Sequence, residues 1–266
     1  MKTVGVFDSG VGGLSVLRAL LAELPGVRFV YVADSAHAPY GERTVAEITE
    51  RSESITAWLR STHHIDALVV ACNTATALAI DSLRATHPDL PIVGVEPALK
   101  PAAATSQTRH IGVLATRGTL NSERFARLRT QLESTASSPV HFICQPCDGL
   151  ADAIERGDLQ TQQALCERYV QALRNQAPGD MDTVVLGCTH YPFAADVLAQ
   201  LLGPDVALVD TGTAVARRTR DVLNVSDPTN TNATSPMLFS TGDPAALSQA
   251  AERWLGLRTR AEKLAA

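Results

Sequence analysis

The sequence has no apolar run that approaches the roughly 20 residues needed to cross a bilayer. Its opening stretch, MKTVGVFDSG, enters a predicted strand without a signal-peptide pattern. We therefore expect a cytoplasmic protein with no membrane contact. Basic residues are also in the minority, 23 against 28 acidic ones, and they are spread along the chain. The clustered positive charge of a nucleic-acid binder is missing, which favours a small-molecule partner.

Cysteine is scarce, and its count of five is odd. In the cytosol these thiols are expected to be reduced, and an odd number leaves at least one unpaired in any case. Cys144 and Cys147 form a C-x-x-C pair, but no second pair follows at zinc-ribbon spacing and no thioredoxin-like helix start surrounds it. We therefore predict no metal site and treat Cys144, Cys147 and Cys166 as structural.

Two short segments of the chain resemble each other. IDALVVACNTAT at 65–76 and MDTVVLGCTHYP at 181–192 align so that Asp66 meets Asp182 and Cys72 meets Cys188. Each segment predicts a buried strand with a cysteine at its carboxyl end, where open α/β sheets hold their ligands. VGVFDSGVGG at 4–13 and IGVLATRGTL at 111–120 extend the match. The pattern indicates two similar halves with a ligand between them.

Alternation of strand and helix predicts parallel sheets covered on both faces, hence an α/β fold of two similar parallel-sheet domains related by pseudo-symmetry. The predicted strands are 3–7, 28–33, 66–71, 91–95, 110–114, 140–144, 182–187 and 206–209. The predicted helices are 14–23, 44–61, 75–86, 121–133, 160–175, 193–202, 212–223 and 244–255. Thr44 with Glu47, and Asn121 before Ser122 and Glu123, predict two of the helix starts.

The domain boundaries are predicted from composition. The alanine-rich stretch 97–108 marks the passage into a second unit, and the return is predicted near 208–211. We therefore expect one domain from 1–97 plus 209–266, carrying Cys72, and a second from 98–208, carrying Cys188. The polar segment 224–236 predicts a surface loop.

The turn Asp8-Ser9-Gly10-Val11-Gly12-Gly13 follows the first predicted strand, and it has three interpretations. Gly10 and Gly12 form G-x-G, and Asp34 lies where a ribose-binding acid would be, as in a dinucleotide site. Against this, Ser15 occupies the third glycine position, and the Asp8 carboxylate would repel a pyrophosphate. The glycine N–H groups could instead hold a smaller anion such as a carboxylate. A tight turn that needs glycine is compatible with either.

The residues beside the two aligned cysteines are polar: Asn73 and Thr74 follow Cys72, and Thr189 and His190 follow Cys188. Such groups suit the carboxylates of an amino acid. A cysteine packed as a small apolar residue at a strand end is the common alternative, and His190 could equally be structural. The repetition favours function over packing.

The chain resembles the glutamate racemases of the cofactor-independent aspartate/glutamate racemase superfamily. The resemblance rests on FDSGVGGLSV, YVADSAHAPYG, ACNTAT, VGVEPALKPA, GVLAT, LGCTHYPF and LVDTG, and it covers nearly the whole chain. It implies a substrate held in a cleft between two α/β domains, with Cys72 on one face and Cys188 on the other. It also implies racemization without a cofactor, which agrees with the lack of a clear pyridoxal-phosphate signature.

Further expectations follow from the resemblance. One thiolate removes the Cα proton while the opposite thiol protonates the other face, Cys72 acting on D-glutamate and Cys188 on L-glutamate. Asp8 and His190 are the candidates that assist the two thiols. The substrate contacts implied are Asp8, Ser9, Tyr40, Gly41, Asn73, Thr74, Thr189 and His190.

The segment CDGLADAIERG carries Asp152 where family members are expected to have glutamate, so Asp152 is a candidate auxiliary. The resemblance also implies a homodimer and a role in supplying D-glutamate for peptidoglycan, hence in cell-wall biogenesis and cell shape. Racemization of aspartate and a non-catalytic amino-acid or nucleotide binding role are the alternative functions.

Overall fold

The structure is a computed structural model that describes residues 1–135, 139–177, 179–225 and 235–264. The chain divides into two compact units, which we call unit 1 (Met1–Val95 and Gly212–Ala266) and unit 2 (Glu96–Thr211). The division lies close to the domain boundaries suggested by composition. The expected domains, 1–97 plus 209–266 and 98–208, stay a prediction. Most of the loop predicted at 224–236 lies outside the described residues.

The described residues form ten strands and eleven α-helices. The strands are β1 (Thr3–Asp8), β2 (Arg28–Ala33), β3 (Ala67–Val70), β4 (Ile92–Gly94), β5 (His110–Ala115), β6 (His141–Pro146), β7 (Thr183–Gly187), β8 (Ala207–Val209), β9 (Met237–Ser240) and β10 (Glu262–Lys263). The helices are α1 (Leu14–Glu23), α2 (Val45–His63), α3 (Asn73–Thr86), α4 (Leu99–Thr105), α5 (Arg117–Leu120), α6 (Glu123–Thr135), α7 (Leu150–Arg156), α8 (Leu159–Gln176), α9 (Ala195–Leu202), α10 (Gly212–Leu223) and α11 (Pro244–Leu255). In the parts of the chain that are described, no helix combines the length and apolarity needed to cross a membrane.

Each unit contains one sheet, and every strand pair recorded in it is parallel. The strand order is β10-β9-β2-β1-β3-β4 in unit 1 and β6-β5-β7-β8 in unit 2. The last four strands of the first sheet, β2-β1-β3-β4, therefore have the same order as the whole second sheet, and β9 and β10 extend the β2 edge. Two similar parallel-sheet α/β units are thus confirmed.

Apolar runs explain why the central strands are buried on both faces. All six residues of β1 and all five of β7 are buried, as expected for strands that helices cover from both sides. Each fully buried Val, Leu, Ile or Phe contributes about 1.5–3 kcal/mol to folding. The unit 1 core includes Phe7, Val32, Leu68, Val70, Ile55, Leu59 and Ile80. The unit 2 core includes Ile111, Val113, Phe142, Val185, Leu99 and Phe125.

The predicted helix starts have different outcomes. Thr44 caps α2 as expected: its side chain accepts a hydrogen bond from the Glu47 N–H at 3.3 Å, and the Glu47 carboxylate accepts one from the Thr44 N–H at 2.9 Å. The start predicted at Asn121 is wrong. Ser122 caps α6, because its hydroxyl accepts the Phe125 N–H at 3.2 Å.

The expected strands were all found, but short elements were missed. β9 and β10 add two strands to the edge of the unit 1 sheet. The stretch 97–108 contains α4 rather than only a connection, and α7 lies in a region for which no helix was predicted. These elements have between two and seven residues, which is too few for a hydrophobic period to be recognised.

Asp66, directly before β3, fastens the start of β1 in unit 1. Its carboxylate accepts hydrogen bonds from the Thr3 N–H at 2.8 Å and from Lys2 Nζ at 2.7 Å. Burial alone would raise the pKa of Asp66, but these two donors outweigh it and lower that pKa.

Asp182, directly before β7, has the same position in unit 2. Its carboxylate accepts from the Gln107 N–H at 2.6 Å, the Thr108 N–H at 2.9 Å and the Ser106 hydroxyl at 2.7 Å. Burial opposes its ionisation, yet these donors hold the pKa of Asp182 well below its usual range. The pair aligned in sequence thus does equivalent structural work at the amino ends of the two sheets.

We predict that Asp182→Asn lowers the free energy of unfolding by about 1–3 kcal/mol at pH 7, because the amide is a poorer acceptor for four donors, of which the fourth is the Thr183 hydroxyl at 2.9 Å. A lowered folded-state pKa gives stability that is complete above the unfolded-state pKa of about 3.9 and is lost as pH falls below it. The difference between wild type and variant should therefore be constant above about pH 5 and shrink in acid.

Chemical denaturation across this pH range measures the effect. Asp205→Asn, a change at an exposed carboxylate in the same unit, is the control and should alter stability by less than about 0.5 kcal/mol. Equal stability of wild type and Asp182→Asn at pH 7 would contradict the prediction.

Candidate active site

Parallel pairing of β1 with β3 brings Asp8 and Cys72 to one edge of the unit 1 sheet. Phe7 and Val70 are register partners, and the Ala71 N–H donates to the Phe7 carbonyl at 2.7 Å. Asp8 is the last residue of β1, and Cys72 lies two residues beyond the end of β3. This is the edge where parallel α/β sheets bind ligands.

Cys72 caps the N-terminus of α3. Its sulfur accepts the Ala75 N–H at 3.5 Å and lies 3.7 Å from the Ser9 hydroxyl oxygen. Cysteine is not among the usual N-cap residues. A helix N-terminus stabilises negative charge, so this place suits a sulfur that acts as a thiolate.

Asp8 organises the glycine turn. Its buried carboxylate accepts the N–H groups of Gly10 and Gly13, each at 3.0 Å. A Cβ on Gly13 would lie 2.6 Å from the Asp8 Cβ, so the turn needs glycine for this close approach. The interpretation in which these N–H groups hold an external anion is wrong for Gly10 and Gly13, because the protein's own carboxylate binds them. The same contact disfavours a pyrophosphate there.

Asn73 presents a polar atom at the start of α3. Its side-chain amide donates to the Val95 carbonyl at 3.3 Å. Within the described residues its Oδ1 is buried and has no hydrogen-bond partner. Buried acceptors are almost always paired, so this oxygen is a candidate to accept a hydrogen bond from a ligand. Thr74, the next residue, is also buried.

Tyr40 directs its hydroxyl into the protein, where it donates to the buried Asp34 carboxylate at 2.7 Å. Arg51 binds both Asp34 oxygens, at 3.1 and 3.0 Å, and the Thr241 hydroxyl donates to Oδ1 at 2.8 Å. Burial would raise the pKa of Asp34, but hydrogen bonds from Arg51, Tyr40 and Thr241 lower it. Burial, the Asp34 charge and a weaker effect of Cys72 raise the pKa of Tyr40. The Tyr40 hydroxyl is thus bound within the protein, and the substrate contact expected of Tyr40 and Gly41 stays a prediction.

The second cysteine, Cys188, follows the last residue of β7 in unit 2. Its sulfur lies 3.8 Å from His190 Nδ1, and His190 Nε2 lies 2.8 Å from a Glu155 carboxylate oxygen. Cys188, Thr189 and His190 are all buried. Burial alone would lower the pKa of His190, but the hydrogen bonds with Cys188 and Glu155 raise it well above its ordinary value. A protonated imidazole beside a sulfur can stabilise a thiolate.

Sequence reasoning missed Glu155. It singled out Asp152 on the same helix, α7, but the Asp152 carboxylate lies 2.6 Å from Arg156 Nη2. Residues three apart share a helix face, so the spacing alone could not select between the two carboxylates. The hydrogen bond to His190 belongs to Glu155, and an auxiliary role for Asp152 stays a prediction.

The remaining cysteines have environments that favour the neutral thiol. All five are free. Burial raises the pKa of Cys144 and Cys147, and it raises that of Cys166 to about 11. Thiols with such values are poor nucleophiles at neutral pH.

Comparisons with known proteins place the chain in a family. The family model described as Asp/Glu/Hydantoin racemase matches residues 4–219. A glutamate racemase from Pseudomonas paraeruginosa is 50% identical over 223 residues, which cover 83% of this chain and 81% of that protein.

Solved structures agree with these relatives. A glutamate racemase isoform from Bacillus anthracis has a TM-score of 0.86 and 28% identity, covering 99% of this chain and 97% of its own. The Escherichia coli glutamate racemase, solved with L-glutamate and the activator UDP-MurNAc-ala, has a TM-score of 0.85 and 33% identity, covering 99% and 98%. The chain thus belongs to the Asp/Glu/hydantoin racemase family, among its glutamate racemases, and is an amino-acid racemase, an isomerase.

Proposed function

We propose that this chain interconverts L- and D-glutamate by proton transfer at Cα between two cysteines, without a cofactor. One observation carries the proposal: in two units that share the strand order β2-β1-β3-β4 and β6-β5-β7-β8, a buried cysteine stands at the carboxyl end of the equivalent strand with charge-stabilising groups beside it. The relatives named above are glutamate racemases, and one of them was solved with L-glutamate.

The chemistry needs two groups because inversion removes a proton from one face and adds one to the other. In the D-to-L direction the Cys72 thiolate takes the Cα proton and becomes a thiol. The electron pair left on Cα then takes the proton of the Cys188 thiol from the opposite face, which leaves Cys188 as the thiolate. The reverse direction begins at Cys188. The proposal requires that both sulfurs reach the same Cα.

The two thiolates are supported by different neighbours. For Cys188, His190 supplies a positive charge, and Glu155 holds that imidazole in place and keeps it protonated. For Cys72, the start of α3 supplies the Ala75 N–H and the positive end of the helix dipole. Asp8 folds the turn that carries Ser9 against the Cys72 sulfur, so its proposed part is to set this contact.

The groups proposed to hold glutamate are small and polar. The Asn73 Oδ1 would accept a hydrogen bond from the ammonium group, because it is buried and the described residues offer it no donor. Ser9, Thr74, Thr189 and the backbone of Tyr40 and Gly41 would bind the carboxylates. The product D-glutamate would serve peptidoglycan synthesis, and assembly as a homodimer stays a prediction from the resemblance.

We expect the purified protein to racemize L-glutamate in D₂O with no added cofactor. Enantiomers have equal free energy, so circular dichroism should decay to zero while Cα acquires solvent deuterium. L-Aspartate under the same conditions is the control and should react more slowly. Aspartate as the faster substrate would assign the chain to aspartate, and absence of both turnover and exchange would leave only a binding function.

Cys72→Ser and Cys188→Ser should each lower kcat/KM by at least about 10²-fold, because each variant replaces the acid–base group of one face with a much weaker acid. The loss must be equal in both directions, since the equilibrium constant is one. Cys166→Ser is the matched control, and its activity should stay within about twofold of wild type. Wild-type rates in either active-site variant, measured polarimetrically, would refute the two-thiol mechanism.

Glu155→Gln should lower the pKa of His190, because the carboxylate that favours the imidazolium is removed. The protonated fraction at a given pH then falls, so the alkaline limb of the kcat/KM profile should move to lower pH. The primary deuterium isotope effect should increase with L-glutamate more than with D-glutamate, since removal of the L proton becomes slower. Asp152→Asn is the control, and the same shift in that variant alone would assign the role to Asp152.

A further inference from the structure

The segment that follows β9 lies against the turn that leads to Tyr40. The Thr241 N–H donates to the Ala33 carbonyl at 3.0 Å, and its hydroxyl accepts the Ala36 N–H at 3.2 Å while donating to Asp34 at 2.8 Å. The Thr241 hydroxyl therefore connects the Asp34 carboxylate, at the start of the turn, to the Ala36 N–H in its middle.

Gly242 shows how closely the two segments approach. A Cβ at this position would lie 2.9 Å from the Ser35 Cβ and 3.2 Å from the Ala36 nitrogen. There is no room for a side chain between them. The turn from Asp34 to Tyr40 is therefore packed against residues 241–242 as well as hydrogen-bonded to them.

Lys263, on the edge strand β10, fixes the same segment from the other side. Its ammonium donates to the carbonyls of Thr241 and Gly242, each at 2.6 Å. Pairing of Lys263 with Ser240 in the β9–β10 register holds the lysine beside these carbonyls. A series of hydrogen bonds thus connects the C-terminal part of unit 1 to Tyr40: Lys263 binds Thr241, Thr241 binds Asp34, and Asp34 binds the Tyr40 hydroxyl.

We propose that Thr241 and Lys263 are positioning residues that set the backbone of Tyr40 and Gly41 for glutamate. The inference rests on the proposed function, in which that backbone binds a substrate carboxylate. Arg51 alone can hold both Asp34 oxygens. Thr241 binds the Asp34 carboxylate and the Ala36 N–H. Within the described residues, it is the only partner of that N–H. Loss of its hydroxyl therefore releases the Ala36 N–H in the middle of the turn, while Arg51 still holds the Asp34 carboxylate.

The test compares Thr241→Val, which keeps the shape and removes the hydroxyl, with Thr241→Ser, which keeps the hydroxyl. Thr219→Val is the control, because Thr219 is also buried in unit 1 but its hydroxyl donates within α10, to the Val215 carbonyl at 2.8 Å. We expect Thr241→Val to raise KM for both enantiomers about tenfold with kcat within about threefold, and Thr241→Ser to restore KM. Lys263→Met should raise KM less, about threefold, since it acts one contact further away.

Amide hydrogen exchange of the peptide covering 34–42 gives a readout that does not depend on turnover. Exchange should be faster in Thr241→Val and unchanged in Thr219→Val. Unchanged KM and exchange in a folded Thr241→Val protein would overturn the inference. Should that variant fail to fold, unchanged KM and exchange in Lys263→Met would overturn it. If wild type does not racemize glutamate but exchange is faster in Thr241→Val, the proposed function is refuted. The role of Thr241 in substrate binding is then refuted with it, although its contact with the turn is real.

Discussion

All strands of a parallel sheet end at the same edge, and this constraint decides where the reactive groups of the chain lie. Pairing of β1 with β3 puts the Asp8 turn beside Cys72, and β7 delivers Cys188 in the same way. Backbone groups beyond the last ladder hydrogen bond are free to bind side chains or ligands. The glycine turn, the cap of α3 and the Cys188–His190 contact all occupy this position, so each depends on strand register.

The two units share a four-strand order, but the groups beside Cys72 and Cys188 that can stabilise a thiolate are different. Cys72 is followed at once by an α-helix, and the Ala75 N–H in its first turn donates to the sulfur. Cys188 is followed by a short 3₁₀ turn at Tyr191–Ala194, and an imidazole takes the place of the helix start. Backbone dipoles do not titrate, whereas an imidazole does. The repeat therefore combines one fixed and one titratable source of positive potential.

Local pattern was sufficient for the main strands, because β3 is entirely apolar and β1 and β7 each contain a run of apolar residues. It also located both cysteines, since a strand end can be recognised from neighbours in sequence. It could not find β10, which has two residues, or select Glu155 over Asp152 on one helix face. The orientation of the Tyr40 hydroxyl depends on Asp34 and on Thr241, which is 207 residues away from Asp34. Such a contact leaves no local signal.

Asp66 and Asp182, which are aligned in sequence, each lie at the amino end of a strand whose carboxyl end leads to a cysteine. Asp66 precedes β3 and Cys72 follows it, so the strand of four residues separates them by more than about 13 Å. In each sheet the amino end thus carries a structural carboxylate, and the carboxyl end carries the cysteine proposed to transfer a proton. A designer could therefore exchange residues at the amino ends to tune heat tolerance without touching the neighbours of either sulfur.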